Sequence, residues 1–427
     1  MNKEIFIERR KQLVEKIKTR FSSKDGAVFL WAHFESAHGA FCQDATFFYF
    51  TGISESALAI KIDFNGKTTL FIPDTNGKRK QWMAGVIEKT DGEARRVGVD
   101  AIEYFGEHVS GYALSPLFAQ NEYKNLLHEL EKSPNIFTCY PLAGFNYVQQ
   151  VSLIDRLKQW HSLKNILDIS DIVAQMRREK DKDEVAQIFN AVRITTDAII
   201  SATELINEED CERDVLAGLT YGIIAGGARE AFPSIVAAGK NATILHYADC
   251  DTQLKKNELL LIDCGASYNH YCADLSRTVP ISGKFTQRQR AIYAIVLACQ
   301  DYIASLVKPG MWLNNKEKPH ESLQHLAVEF FEKKGYAQYF THGIGHYLGL
   351  EPHDVGSMQE PLREGDVITL EPGLYLPEEN IGVRIEDDYW VIKDGVHCLS
   401  EELPKAIDDI EELMSKDCAS GHCSHSH

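Results

Sequence analysis

The hydrophobic rhythm of the chain changes several times, and each change marks an element. Residues 3–20 set Ile5, Phe6, Leu13 and Ile17 among charged positions at roughly helical spacing, which predicts an N-terminal helix. Gly26-Ala-Val-Phe-Leu-Trp31 is a continuous apolar run and reads as a buried strand. Phe47-Phe-Tyr-Phe-Thr-Gly52 reads as an aromatic β segment stopped by glycine. Ala57-Leu-Ala-Ile-Lys-Ile62 and Thr68-Thr-Leu-Phe-Ile72 flank Asn65-Gly66, a hairpin signal. Val97-Gly-Val and Ile136-Phe-Thr-Cys are further strand candidates with helices between them. This first third therefore reads as α/β.

A charge-dense stretch follows, from Met176 to Glu184. Val185, Ile188, Phe189 and Val192 continue from it at helical spacing, so it reads as the polar start of a helix. The domain boundary is expected near residues 165–180, with an N-terminal domain over 1–172 and a second domain over 173–410. Helices are expected through about residue 230, and a long one over 287–306. Three strand-like runs in this part meet an acidic residue: Leu259-Leu-Leu-Ile-Asp-Cys, Asp366-Val-Ile-Thr-Leu-Glu and Ile381-Gly-Val-Arg-Ile-Glu386. No short-period repeat is visible.

Composition narrows the field. The chain has 427 residues, room for two domains, and a net charge of −17 without a Lys/Arg-rich stripe. Nucleic acid and anionic membrane are therefore poor partners. The first 18 residues are charged throughout, unlike a secretory signal, and no apolar run has the length of a membrane span. Ten scattered cysteines without an export signal read as reduced thiols, pointing to a cytoplasmic location. On that reading the sequon Asn241-Ala-Thr243 is without consequence.

Five residues carry the candidate chemistry: Asp263, Asp274, His346, Glu371 and Glu386. With 62 acidic residues in the chain, any single one is by default a solvated carboxylate. Their context sets these apart, because they end or follow apolar strand-like runs where a surface charge is less expected. Antiparallel strands joined by a turn could bring Asp263 and Asp274 to one metal. The glycines of His342-Gly-Ile-Gly-His346 leave room for an imidazole to point inward. Four carboxylates and one imidazole suit two divalent cations held roughly 3.5–4 Å apart. Oxygen-rich ligation favours Mn²⁺ and also admits Co²⁺, Fe²⁺ or Zn²⁺. No Cys₂His₂ or HExxH spacing is present.

In order along the chain stand Ser234-Ile-Val-Ala-Ala-Gly-Lys-Asn-Ala-Thr-Ile-Leu-His246-Tyr, Asp263-Cys-Gly and Ala273-Asp274-Leu-Ser-Arg-Thr278. His342-Gly-Ile-Gly-His346, Glu371-Pro-Gly-Leu-Tyr375 and Val383-Arg-Ile-Glu386 follow. With these motifs the block from about 180 to 405 resembles the pita-bread metallopeptidases: methionine aminopeptidase, aminopeptidase P and prolidase. Phe41 to Gly52 resembles the N-terminal domain that aminopeptidase P and prolidase carry and methionine aminopeptidase lacks. The resemblance implies an α/β N-terminal domain, an α+β pita-bread catalytic domain, and a proline-specific peptidase. Cys42 departs from the pattern, where the family often has arginine. Arg229-Glu-Ala-Phe-Pro233 also departs from it, at a place suited to shaping a substrate pocket.

The same resemblance implies the roles. Asp263 and Asp274 hold one metal; Asp274, His346 and Glu371 hold the other; Asp274 and Glu386 bridge. Water acidified between two cations is the expected nucleophile. Glu371 doubles as proton shuttle. His353 serves as oxyanion donor, His246 orients the substrate, and His342 lines the proline side of the cleft. Arg384 pairs with a ligand carboxylate or a substrate carboxyl terminus. Tyr375 either packs or lies on the proton path.

Peptides with proline in second position are the expected partners, and a homo-oligomer, dimer or tetramer, is expected from the family. Aminopeptidase P is preferred over prolidase because Glu378 to Asp388 resembles bacterial members of the former. Relatives that became binding proteins lack one or more ligands, whereas all five are present here. The tail, assigned to 411–427, carries Cys418, His422, Cys423, His425 and His427 and reads as disordered rather than as a metal store.

Overall fold

The computed structural model describes residues 2–22, 24–35, 41–112, 119–141, 148–160, 165–207 and 209–415. The chain divides into two compact units, Met1–Arg177 and Arg178–His427.

The first unit is built on a six-stranded mixed sheet. Its order is Ala101–Tyr104, Thr68–Ile72, Ala59–Asp63, Ala27–Trp31, Ile136–Thr138, Ile166–Asp168. Ala27–Trp31 runs antiparallel to Ala59–Asp63 and parallel to Ile136–Thr138. All five of its residues are buried, which explains a run without alternation. The predicted hairpin is present, with Ile62 opposite Thr68 and Gly66 at φ 90°.

Two expectations fail here. Phe47 to Gly52 is not a β segment: Ala45–Thr51 is a helix. Asp44 caps it, its Oδ1 accepting from the Phe47 amide at 2.7 Å, and Gly52 closes it at φ 66°. Thr46 through Thr51 are all buried, so no polar face gives the sequence a helical period. Val97 likewise ends the helix Asp91–Val97, which Thr90 caps; Gly98 stops it at φ 71° and the strand begins at Ala101.

The second unit opens on the helix Lys182–Glu204, started by a capping box between Asp181 and Glu184. The charged stretch is thus a helix start, as its periodicity predicts. Gln287–Leu306 is the expected long helix. Leu259–Cys264 lies between Ile235–Ala238 and Leu275–Pro280, antiparallel to both. Val367–Leu370 pairs with Asp387–Ile392, and Gly373–Leu376 with Ile381–Arg384, again antiparallel. Helices against antiparallel sheets make this unit α+β. The helix Ile407–Leu413 runs past residue 410, with Ile410 and Glu411 buried, so the first residues assigned to the tail pack as structure. The tail's Cys and His residues, Cys418 to His427, lie outside the described residues. Among the described residues the cysteines are free thiols, and no helix is long and apolar enough to cross a membrane.

Candidate metal centre and active site

Strand register assembles the carboxylates. Asp263 stands opposite Ser276 in the Leu259–Cys264 and Leu275–Pro280 pair. Asp274 precedes Ser276 by two residues, so Asp263, Asp274 and Ser276 share one face. A β-bridge sets Glu386 beside Ser276, and the Ser276 hydroxyl donates to Glu386 Oε2 at 2.7 Å. His346 comes from the other side. Its backbone exchanges hydrogen bonds with Thr369, whose strand leads into Glu371. That approach requires glycine at 345, where a Cβ would lie 2.0 Å from the Thr369 carbonyl oxygen.

Ligand-type atoms of Asp274, His346 and Glu386 lie within 4.8 Å of one another. His346 Nε2 is 3.5 Å from Asp274 Oδ2 and 3.7 Å from Glu371 Oε1. Its Nδ1 lies 3.2 Å from the Tyr347 carbonyl. In the neutral ring that nitrogen donates, which leaves an Nε2 lone pair facing carboxylate oxygens. Asp263 Oδ1 and Glu386 Oε1 are buried without a hydrogen-bond partner.

The electrostatics agree. Burial, then repulsion from Asp263, holds the Asp274 carboxyl well above the usual carboxylate range. Burial and the Asp274 and Glu371 charges do the same to Glu386. Burial pushes Glu371 up to about 7, with Asp274 and Asp263 adding to it. Lone pairs aimed at one another and carboxyls that resist ionisation are both relieved by divalent cations among them. The residues present therefore fit the metals the sequence implies.

Arg384 is the cation of the cleft wall. Its Nη2 bonds Asp263 Oδ2 at 2.6 Å, its Nε bonds the Ser276 hydroxyl at 2.9 Å, and its Nη1 bonds the Tyr375 hydroxyl at 2.9 Å. Of the two roles expected for it, pairing with a ligand-type carboxylate is the one formed. The Tyr375 hydroxyl is also 2.9 Å from His342 Nε2, so Arg384, Tyr375 and His342 form a chain. His342 Nδ1 lies 3.5 Å from Glu371 Oε2. Burial, with Arg384 nearby, lowers His342 to about 4, so its ring is neutral.

His246 and His353 line the same cleft, which has a volume of about 1040 Å³. The His353 ring stacks on His346 at 3.9 Å and 13°. Burial, then the His346 and His246 charges, lowers it to about 4. All eight singled-out residues and Arg384 line this one cleft. Sequence reading missed Ser276, which ties Arg384 to Glu386, although its place two residues after Asp274 on a strand gave the signal. It also missed Asp388, which accepts from the Asp274 amide at 3.1 Å. Burial, then the Asp274 charge, holds that carboxyl well above its usual range.

Comparison with known proteins decides the family. Residues 186–393 match Metallopeptidase family M24, and residues 6–120 match the aminopeptidase P N-terminal domain. The chain belongs to the aminopeptidase P branch of family M24. It is 29% identical to a Haemophilus influenzae Xaa-Pro aminopeptidase over 97% of both chains. A Pyrococcus horikoshii Xaa-Pro dipeptidase is 33% identical over 73% of this chain and 86% of its own. Zinc-substituted Escherichia coli aminopeptidase P superposes with a TM-score of 0.80 at 26% identity, covering 97% of this chain and 98% of that one. Yersinia pestis proline aminopeptidase P II gives 0.80 at 25%, over 97% and 99%. The α+β unit is thus the pita-bread fold of family M24, and the chain is a metallo-exopeptidase. Membership implies divalent metal ions.

Proposed function

We propose that this enzyme hydrolyses the bond between an N-terminal residue and a following proline. The single observation that carries the reading is a full-length match: both family domains are present, and 97% of the chain aligns with 97% of an Xaa-Pro aminopeptidase. Matches to Xaa-Pro dipeptidases, at 35% and 33% identity, keep a dipeptidase as the second reading. The chain takes peptides with proline in second position as substrates, without nucleic acid or membrane. We further propose a cytoplasmic homo-oligomer, with an N-terminal domain through about residue 172 and the catalytic domain following it.

Asp263, Asp274, His346, Glu371 and Glu386 would hold two divalent cations, Mn²⁺ by preference, with Co²⁺ or Zn²⁺ as substitutes. When bound, these supply Lewis-acid activation of water and of the scissile carbonyl. The remaining work falls to side chains of the cleft. Glu371 takes a proton from the attacking water and passes it toward the leaving proline nitrogen. A neutral His353 has an N–H to donate to the developing oxyanion. His246 orients the substrate on the same wall. His342, fixed through Tyr375 and Arg384, borders the proline side. Arg384 holds Asp263 in place.

Proline explains the specialisation. The bond before it is a tertiary amide without N–H, so an enzyme that reads that donor cannot bind it. Rates on Xaa-Pro-Xaa tripeptides, Xaa-Pro dipeptides and N-acetylated tripeptides test the proposal. Cleavage of free tripeptides, with acetylated ones resistant, is expected; cleavage of dipeptides alone would make the enzyme a dipeptidase.

A further inference from the structure

The segment that departs from the family pattern forms part of the cleft wall. Glu230, Phe232, Pro233 and Ser234 all line it. Glu230 stands opposite Ala266, while Ile235 stands opposite Asp263. Ala266 lies three residue steps of extended chain beyond Asp263, which places Glu230 roughly 10 Å along the wall from the metal-binding carboxylates.

The Glu230 carboxylate is held from two sides. The Thr220 hydroxyl donates to it at 3.2 Å and the Ser234 hydroxyl at 3.0 Å, both to Oε1. Oε2 takes neither bond. A neutral amide oxygen could accept both hydroxyls as well, so that structural role does not require the negative charge. The neighbouring wall is largely apolar, through Leu216, Phe232 and Pro233. Away from the metal-binding cluster and Arg384, the charged side chains lining the cleft are Glu230 and Glu351, both acidic.

We propose that Glu230 closes a side-chain pocket for the first residue of the substrate and selects a cationic one, Lys or Arg. The inference rests on the Xaa-Pro aminopeptidase reading and names its substrate class. The α-amino group is not the target, because it lies one carbon from the attacked carbonyl and stays beside the metal-binding cluster. A Lys or Arg side chain spans the gap, lays its methylenes on the apolar wall and brings its charge to the carboxylate.

The test uses the whole metal-loaded enzyme and four tripeptides, Xaa-Pro-Ala, with Xaa as lysine, arginine, norleucine or Nε-acetyl-lysine. The wild-type kcat/KM for lysine and arginine should exceed that for norleucine about ten- to hundredfold, the worth of one charge-assisted hydrogen bond. Acetyl-lysine should fall to the norleucine level. Glu230→Gln keeps both hydroxyl bonds and should bring the kcat/KM values of all four substrates together. Equal wild-type rates on lysine, acetyl-lysine and norleucine would overturn the proposal, with no variant needed. A preference that survives Glu230→Gln would overturn it too. If no Xaa-Pro bond is cut in any peptide, the reading beneath it falls first.

Discussion

Replacing Glu386 by Gln should stabilise the metal-free protein while abolishing its activity, an unusual pairing that follows from the charge arrangement. Glu386 is 2% exposed; its Oε2 accepts from Ser276 and its Oε1 has no partner. Its ligand-type oxygen lies within 4.8 Å of that of Asp274. Like charges at that separation repel by about 3–4 kcal/mol at an effective dielectric near 20. Protonating one carboxyl at pH 7 instead costs about 3–4 kcal/mol, starting from an ordinary pKa near 4.3. By either route the metal-free fold carries roughly 3 kcal/mol that the neutral amide removes, and the Ser276 bond survives. For a unit of this size the thermal midpoint should rise by about 6–12 °C. Thermal unfolding of metal-stripped wild type and Glu386→Gln at pH 7 measures it. Peptidase activity with added metal should fall by about a hundredfold or more, beyond the loss typical of residues that only support a ligand. A midpoint below wild type without metal would refute the view that these carboxylates repel across a cation site.

Glu371 contributes to the pH dependence of the metal-free protein. Its carboxyl rises from the usual 4.5 to about 7, so the fold binds its proton more tightly than the unfolded chain does. That stability is fully present below pH 4.5 and is lost as pH rises through 7, about 3 kcal/mol in all, readable by urea unfolding at intermediate pH values. Ser276→Ala removes the hydroxyl between Arg384 and Glu386 and should weaken metal affinity about 10- to 100-fold, measured by calorimetric titration. Gly345→Ala drives a methyl against the Thr369 carbonyl and should cost about 1–3 kcal/mol of stability and displace His346; unchanged melting would contradict the packing described.

What the sequence made legible, and what it hid, follows one physical rule. Strands with an abrupt acidic end after an apolar run announce themselves, which is how Asp263 and Glu386 could be found. Their convergence with His346 depends on cross-strand register and on a β-bridge between distant segments, neither of which periodicity can supply. Residues that support the site, such as Ser276 and Thr369, are small hydroxyls that look ordinary until their partners are in view. Ala45–Thr51 misled because burial on every side erased the helical period. Its caps, Asp44 and Gly52, were the better guide, as were Thr90 and Gly98 for the helix read as a strand.

If the five ligand-type side chains hold divalent cations as proposed, Xaa-Pro cleavage depends on metal. The most direct measurement is hydrolysis of an Xaa-Pro-Xaa tripeptide by metal-stripped enzyme before and after Mn²⁺ is restored, with His346→Ala in parallel. No cleavage is expected without metal, with recovery on adding Mn²⁺ in wild type and no recovery in the variant. Undiminished cleavage by the stripped enzyme, or full recovery in His346→Ala, would contradict the proposal.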